Sequence, residues 1–139
     1  MTMSRELATF GAILSFAIQV ENEAAAFYEG AARAESNAQA QEALTALAKA
    51  HRKRQRDCER MRREQVTEMI LEPIYGLREE DWHTDLSGAD KRVAAGLEHK
   101  LGEFYTQAAA KVNLPEVARN LAKLAKEAMV LEGQARAAA

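Results

Sequence analysis

An apolar stripe between Leu7 and Ala32 is interrupted by one carboxylate, that of Glu21. Apolar side chains recur along this stretch every three or four residues, at Leu7, Phe10, Leu14, Ala17, Ala24, Tyr28 and Ala31. That spacing predicts an α-helix with one face directed to a core. Glu21 completes the series, and a carboxylate is costly to bury unless it is ion-paired, hydrogen-bonded or bound to a metal. The stretch therefore predicts a core helix that carries a buried polar site.

The composition predicts one helical domain over residues 1–139. Hydrophobic residues make up 47% and charged residues 29% of the chain, as in an ordinary globular protein, and the abundant Ala, Glu, Leu, Lys and Arg favour helices. A net charge of −2 gives no general attraction to nucleic acid or to an anionic membrane. Cys58 is the only cysteine, and the sequence contains neither a signal-like N-terminus nor an apolar run of membrane-spanning length. We therefore expect a cytoplasmic protein that does not bind membranes.

Four long helices are expected. The first is expected to begin at a hydroxyl cap, Ser4, and to end near residues 34–37, and the second runs from about residue 38 into the sixties. The third covers about residues 89–111. Pro115 is expected to open the fourth, because proline is tolerated in a first helical turn.

The inward face of the second helix combines leucines with polar residues. Leu44, Leu47 and His51 follow the helical spacing, and Cys58 is expected to pack there as a small apolar residue. Arg54 also lies on this face, and we expect its guanidinium to extend to the rim of the core.

The remaining surface of the second helix is densely basic between residues 52 and 63. Such a strip is a candidate surface for nucleic acid. The interspersed Asp57 and Glu59 favour a solvated, ion-paired helix face instead, and no aromatic residues accompany the charge. We therefore expect no nucleic-acid partner.

Residues 65–88 have the composition of a connection between helices, with one proline and two glycines that interrupt a long helix. Residues 70–82 are nevertheless too apolar for a solvated linker. We expect a crossover that packs along the side of the bundle, with a short helix at about residues 78–82.

The third helix repeats the first without gaps, at an offset of 77 residues. The matches include Glu21 with Glu98, Phe27-Tyr28 with Phe104-Tyr105, and His51 with Ala128. One offset that aligns both pairs of helices predicts two related hairpins, at about residues 4–64 and 89–135, joined by the crossover.

At these residues the chain resembles the rubrerythrin branch of the ferritin-like superfamily. The family pattern Glu-x-x-Ala-x-x-x-Tyr is matched by Glu21, Ala24 and Tyr28, and the third helix keeps Glu98 and Tyr105. The resemblance implies an all-α, ferritin-like four-helix bundle whose di-iron centre serves peroxide reduction, oxygen chemistry or iron handling. It also implies a homodimer, since ferritin-like bundles commonly pair. The paired Cys-x-x-Cys motifs of a rubredoxin-type domain are not in the sequence.

The resemblance implies a dinuclear centre with six ligands, and only half of them are present. The three that remain are Glu21, His51 and Glu98. Alanines stand at the other positions, Ala48, Ala125 and Ala128. Alanine has no donor atom, so a bridged pair of iron ions is not expected. The neighbours to consider are Tyr28 and Tyr105 as hydrogen-bonding partners, and Glu127 and Glu132 as substitute ligands.

Two interpretations of Glu21, His51 and Glu98 stay open. In the first, they form a reduced site that binds one iron or other divalent metal ion. In the second, no metal binds, and the two carboxylates share a proton or hydrogen-bond to His51 and to the tyrosines. The protein would then act as an interaction or assembly subunit for an unidentified protein partner. The sequence assigns neither a substrate nor a catalytic residue.

Overall fold

Apolar side chains at helical spacing build the elements of this chain, as the sequence predicts. The computed structural model describes residues 6–65 and 74–138, which form an all-helical bundle. In chain order the elements are α1 (Phe10–Ala34), α2 (Ala38–Gln65), the single-turn α3 (Glu79–Trp82), a 3₁₀ turn (Lys91–Val93), α4 (Ala94–Lys111) and α5 (Pro115–Ala138). The all-α prediction is confirmed, and the fourth long helix begins at Pro115 as predicted.

The four long helices pack as two hairpins. α1 packs along α2 and α4 along α5, and in each pair the connection is so short that the two helices must be antiparallel. The hairpins meet where α2 packs against α5, and where Phe16 of α1 meets Phe104 of α4 edge to face with ring centres 5.3 Å apart. This packing turns the polar positions of α1, α2 and α4 toward one another.

The first helix begins later than predicted. The backbone just before it pairs with the crossover, where the Leu7 N–H donates to the Leu77 carbonyl at 2.7 Å. α1 starts after Thr9, whose Oγ1 accepts from the Ala12 N–H at 3.0 Å and caps the helix. The predicted cap, Ser4, lies outside the described residues. The predicted helical start before Thr9 is wrong because that segment hydrogen-bonds to a distant part of the chain.

The described part of the crossover packs on the core of its own chain. Leu77 is fully buried, and Trp82 packs against Phe104 with ring centres 6.1 Å apart. The short helix predicted at about residues 78–82 is confirmed as α3. The apolar residues expected further upstream, at 70 and 71, lie outside the described residues.

Four acidic or basic side chains are buried in the described core. They are Glu21, His51, Arg54 and Glu98, each at most 1% exposed. We refer to these four residues as the polar centre. Because a buried charge is costly unless it is paired, the contacts among them define the candidate functional site.

Candidate functional site

Three helices bring Glu21 (α1), His51 (α2) and Glu98 (α4) together. Nδ1 of His51 lies 2.5 Å from Oε1 of Glu21, and its Nε2 lies 2.5 Å from Oε2 of Glu98. The doubly protonated ring fits this arrangement, because it donates to both carboxylates, whereas a neutral imidazole donates only one hydrogen bond. The structure thus groups the three residues, while their role as metal ligands stays a prediction.

Arg54 completes the polar centre. Its guanidinium turns into the core and donates from Nε and Nη2 to Oε2 of Glu21, at 3.0 and 2.9 Å. It also lies over the ring of Tyr105, 5.4 Å from the ring centre. The predicted position at the rim of the core is wrong, because a buried carboxylate on the neighbouring helix offers the guanidinium a partner. Its place three residues after His51, on the same helical face, is the signal in the sequence that points to this site.

Two tyrosine hydroxyls connect α1 and α4, because each donates a hydrogen bond to a carboxylate on the other helix. The hydroxyl of Tyr28 on α1 donates to Oε2 of Glu98 on α4 at 2.7 Å, and the hydroxyl of Tyr105 on α4 donates to Oε2 of Glu21 on α1. The Tyr28 ring also stacks on the imidazole of His51, with ring centres 5.3 Å apart. Each tyrosine therefore contacts the carboxylate of the other helix.

The polar centre places two positive groups against two carboxylates. Burial opposes the ionisation of Glu21, but the charges of Arg54 and His51 outweigh it and lower the pKa of Glu21 to about 2. Burial likewise opposes the charging of His51, but Glu21 and Glu98 outweigh it and raise the pKa of His51 to about 9. For Arg54 too, the carboxylates outweigh burial and raise the pKa. The centre therefore balances its own charge.

Tyr28, Tyr105 and Cys58 surround the polar centre as protonated groups. Burial raises the pKa of both tyrosines, and Glu98 beside Tyr28 adds to the effect. Burial also raises the pKa of Cys58 to about 12, and its Sγ lies 3.9 Å from the Tyr105 hydroxyl. A thiol in this state does not act as a nucleophile in the folded chain. Cys58 packs in the core as predicted.

Most of the donor atoms that a metal would need already have hydrogen-bond partners within the protein. Both oxygens of Glu21 and both nitrogens of His51 have partners, whereas Oε1 of Glu98 is buried without one. Within the two described ranges, no group of three or more His, Cys, Asp and Glu side chains is arranged to hold a metal ion. As arranged, the donor set does not fit a divalent ion, because Oε2 of Glu21 and both nitrogens of His51 already have partners and the ion would stand beside the guanidinium of Arg54.

Apolar side chains occupy the positions at which the resemblance would place further ligands. Ala48, Ala125 and Ala128 are buried, at 4%, 7% and 0% exposure. At the offset of 77 residues, Arg54 corresponds to Leu131, which is also buried. α2 therefore supplies both positive groups of the polar centre, whereas the corresponding positions of α5 carry an alanine and a leucine.

The two candidate substitute ligands lie away from the polar centre. Glu132 pairs with Nδ1 of His99 at 3.0 Å and with Nη2 of Arg136 at 2.8 Å. Glu127 lines a separate cavity of about 230 Å³ between α2 and α5. Among the contacts of the described residues, neither carboxylate bonds to the polar centre. The structure does not bring a substitute ligand there.

Three side chains of the basic strip of α2 pair with carboxylates. Arg52 pairs with Glu29 of α1 at 2.8 Å, and Lys53 and Arg60 pair with Asp57 at 3.1 and 3.4 Å. These are the contacts expected of a solvated, ion-paired helix face. The charge on this strip is therefore shared with acidic neighbours.

No protein-family model, curated protein or solved structure matches this chain. Its class is therefore given by its own fold and site. It is an all-helical bundle in whose core a Glu–His–Glu–Arg cluster balances its own charge. Within the described ranges, no helix combines the length and the apolar character needed to span a membrane.

Proposed function

We propose that the protein is a ferritin-like bundle that works without a metal cofactor, as an interaction or assembly subunit. The observation that supports this most is the buried ion pair between Arg54 and Glu21. In a dinuclear centre of such a bundle, carboxylates neutralise two metal cations. Here the guanidinium of Arg54 and the imidazolium of His51 stand opposite the two carboxylates instead.

The polar centre has a structural role in this proposal. Its hydrogen bonds connect α1 to α2 through Glu21, and α2 to α4 through His51. A shifted packing of the hairpins would leave at least one buried charge without a partner, which is strongly unfavourable. The centre therefore favours one register of the two hairpins, and a subunit that presents a fixed surface needs such a register.

Elemental analysis of the purified protein tests the metal-free state. The parent, Glu21→Ala and His51→Ala are purified from cells supplied with iron and manganese. We expect far less than one metal ion per chain in all three. A value near one in the parent that is lost in both variants would contradict the proposal, and a value near two would mean that further ligands exist.

A homodimer is the first assembly to test. The resemblance to ferritin-like bundles supports pairing. Among the described residues three large apolar side chains are exposed, Tyr75 at 71%, Met129 at 71% and Val130 at 61%. Sedimentation velocity over a range of protein concentrations measures the association. A dimer would support the proposal, whereas a monomer at every concentration would remove the homodimer and leave a different protein as the partner.

A reduced metal site is the second candidate function, and one observation favours it. Oε1 of Glu98 is buried without a partner, and such an oxygen is both costly to bury and a good ligand for a hard cation. In this candidate Glu21, His51 and Glu98 hold one iron or other divalent ion, and His51 gives up its proton to do so. The same elemental analysis separates the two candidates.

A further inference from the structure

Arg54 contacts the polar centre through two nitrogens that share one oxygen of Glu21. We propose that Arg54 excludes divalent metal ions from the cluster of Glu21, His51 and Glu98, and is thus the residue that keeps the site metal-free. This inference rests on the metal-free function proposed above and names its cause.

Arg54 occupies the oxygen that a metal ion would need. Oε2 of Glu21 accepts from Nε and Nη2 of Arg54, and also from the Tyr105 hydroxyl. Three donors leave that oxygen no open lone pair for a metal ion. Oε1 of Glu21 accepts from His51, so each oxygen of this carboxylate already has a hydrogen-bond partner.

The guanidinium of Arg54 has almost no access to water and, among the described residues, no acceptor other than Glu21. The residue is 1% exposed, and its guanidinium lies over the ring of Tyr105. Its hydrogen bonds all go to Glu21, and Nη1 is buried with no partner, so the described core offers it no second acceptor. Water does not screen the repulsion between this guanidinium and a divalent ion at the same carboxylate, and the repulsion is therefore strong.

A usable set of ligands remains once the guanidinium is removed. Oε2 of Glu21 would recover an open lone pair beside the Tyr105 hydroxyl, and Oε1 of Glu98 is already without a partner. His51 contributes a nitrogen once it has given up a proton. Two carboxylates and one imidazole, completed by water, suit a single divalent ion. Leucine is a fitting replacement for Arg54, because the corresponding residue in the second hairpin is the buried Leu131.

Equilibrium dialysis with Co²⁺ tests the proposal, because it measures how tightly the ion binds. The visible absorption of the bound Co²⁺ reports its coordination. Arg54→Gln and Arg54→Leu remove the charge in two ways, and Arg54→Lys keeps it. Arg52→Gln is the matched control, because Arg52 lies on the same helix but pairs with Glu29 at the surface. We expect Arg54→Gln and Arg54→Leu to bind one Co²⁺ at least about tenfold more tightly than the parent. Arg54→Lys and Arg52→Gln should bind no better than the parent, and adding Glu21→Gln to Arg54→Gln should abolish binding.

Equal Co²⁺ affinity in the parent and in both neutral variants would overturn the inference, and so would a gain in Arg54→Lys as large as in Arg54→Gln. A neutral variant that is unfolded without metal is tested by circular dichroism with added Co²⁺. Refolding supports the inference, and failure to refold overturns it. Metal bound tightly by the parent would instead contradict the proposed metal-free function, so the two failures are distinguishable.

Discussion

His51 carries a charge because two carboxylates accept from its ring, and this charge makes the stability of the bundle depend on pH. Its pKa is about 9 in the folded chain, against an ordinary value of 6.5. The resulting stabilisation is fully present below pH 6.5 and is lost as the pH rises through 9. Glu21 acts in the opposite sense, because its pKa is lowered from 4.5 to about 2: its contribution is present above pH 4.5 and is lost as the pH falls through 2.

We expect the free energy of unfolding to decrease between pH 6.5 and pH 9, by a few kcal/mol for a shift of this size. Urea unfolding at a series of pH values measures the decrease. His51→Gln should lose most of this slope, because glutamine has no charge to give up. His83→Gln is the control, since His83 lies at the surface, and it should keep the slope of the parent. Identical slopes in the parent and in His51→Gln would contradict the prediction.

The sequence predicts the faces of the helices on which the polar residues lie, but not the direction of every side chain. Glu21, His51 and Glu98 could be placed in the core because helical spacing fixes the face of each residue. The same spacing puts Arg54 on the inward face. Its long side chain can extend to solvent or turn inward, however, and that choice depends on a carboxylate from another helix. The full polar centre is therefore a product of tertiary packing.

At the scale of the helices, a helix end could be predicted where neighbouring residues in the sequence determine it. Pro115 opens α5 because its fixed φ and its missing N–H suit a first turn. The start of α1 depends instead on the pairing of Leu7 with Leu77, which no local pattern reports. Thr9 caps the helix directly after this paired segment.

Thr9→Ala should lower the free energy of unfolding by about 1 kcal/mol, because the Ala12 N–H at the start of α1 loses its acceptor. Thr45→Ala is the matched control. Thr45 is another exposed threonine, but its hydroxyl donates to the Gln41 carbonyl within α2, and its removal should change stability by less than about 0.5 kcal/mol. Urea unfolding of the two variants measures the difference, and equal effects would count against a capping role for Thr9.

At the scale of the whole molecule, the hydrophobic pattern is sufficient for the class of fold. Helices with one apolar face and short connections have few ways to bury that face, and a bundle of hairpins is one of them. The hydrophobic pattern does not predict the charge balance of the core, because Glu21 and Arg54 come from one hairpin and Glu98 from the other. Only the assembled bundle decides which of these groups meet.

Cys58 is the single thiol of the chain, and because it is buried, the rate of its alkylation reports how often the core opens. With a pKa of about 12 and no contact with solvent, it can react with iodoacetamide only in molecules that have transiently opened. We expect alkylation of the native protein to be orders of magnitude slower than that of an exposed reference, Ser36→Cys in a Cys58→Ala background. Alkylation of the native protein at the reference rate would contradict the burial of Cys58.

Where reclosing is faster than alkylation, the ratio of the two rates gives the fraction of time for which the interior is open to reagent. No dye or tag is needed for this measurement. The thiol of Cys58 lies 3.9 Å from the hydroxyl of Tyr105, which donates a hydrogen bond to Glu21. A change at the polar centre can thus be followed as a change in how often solvent reaches the middle of the bundle.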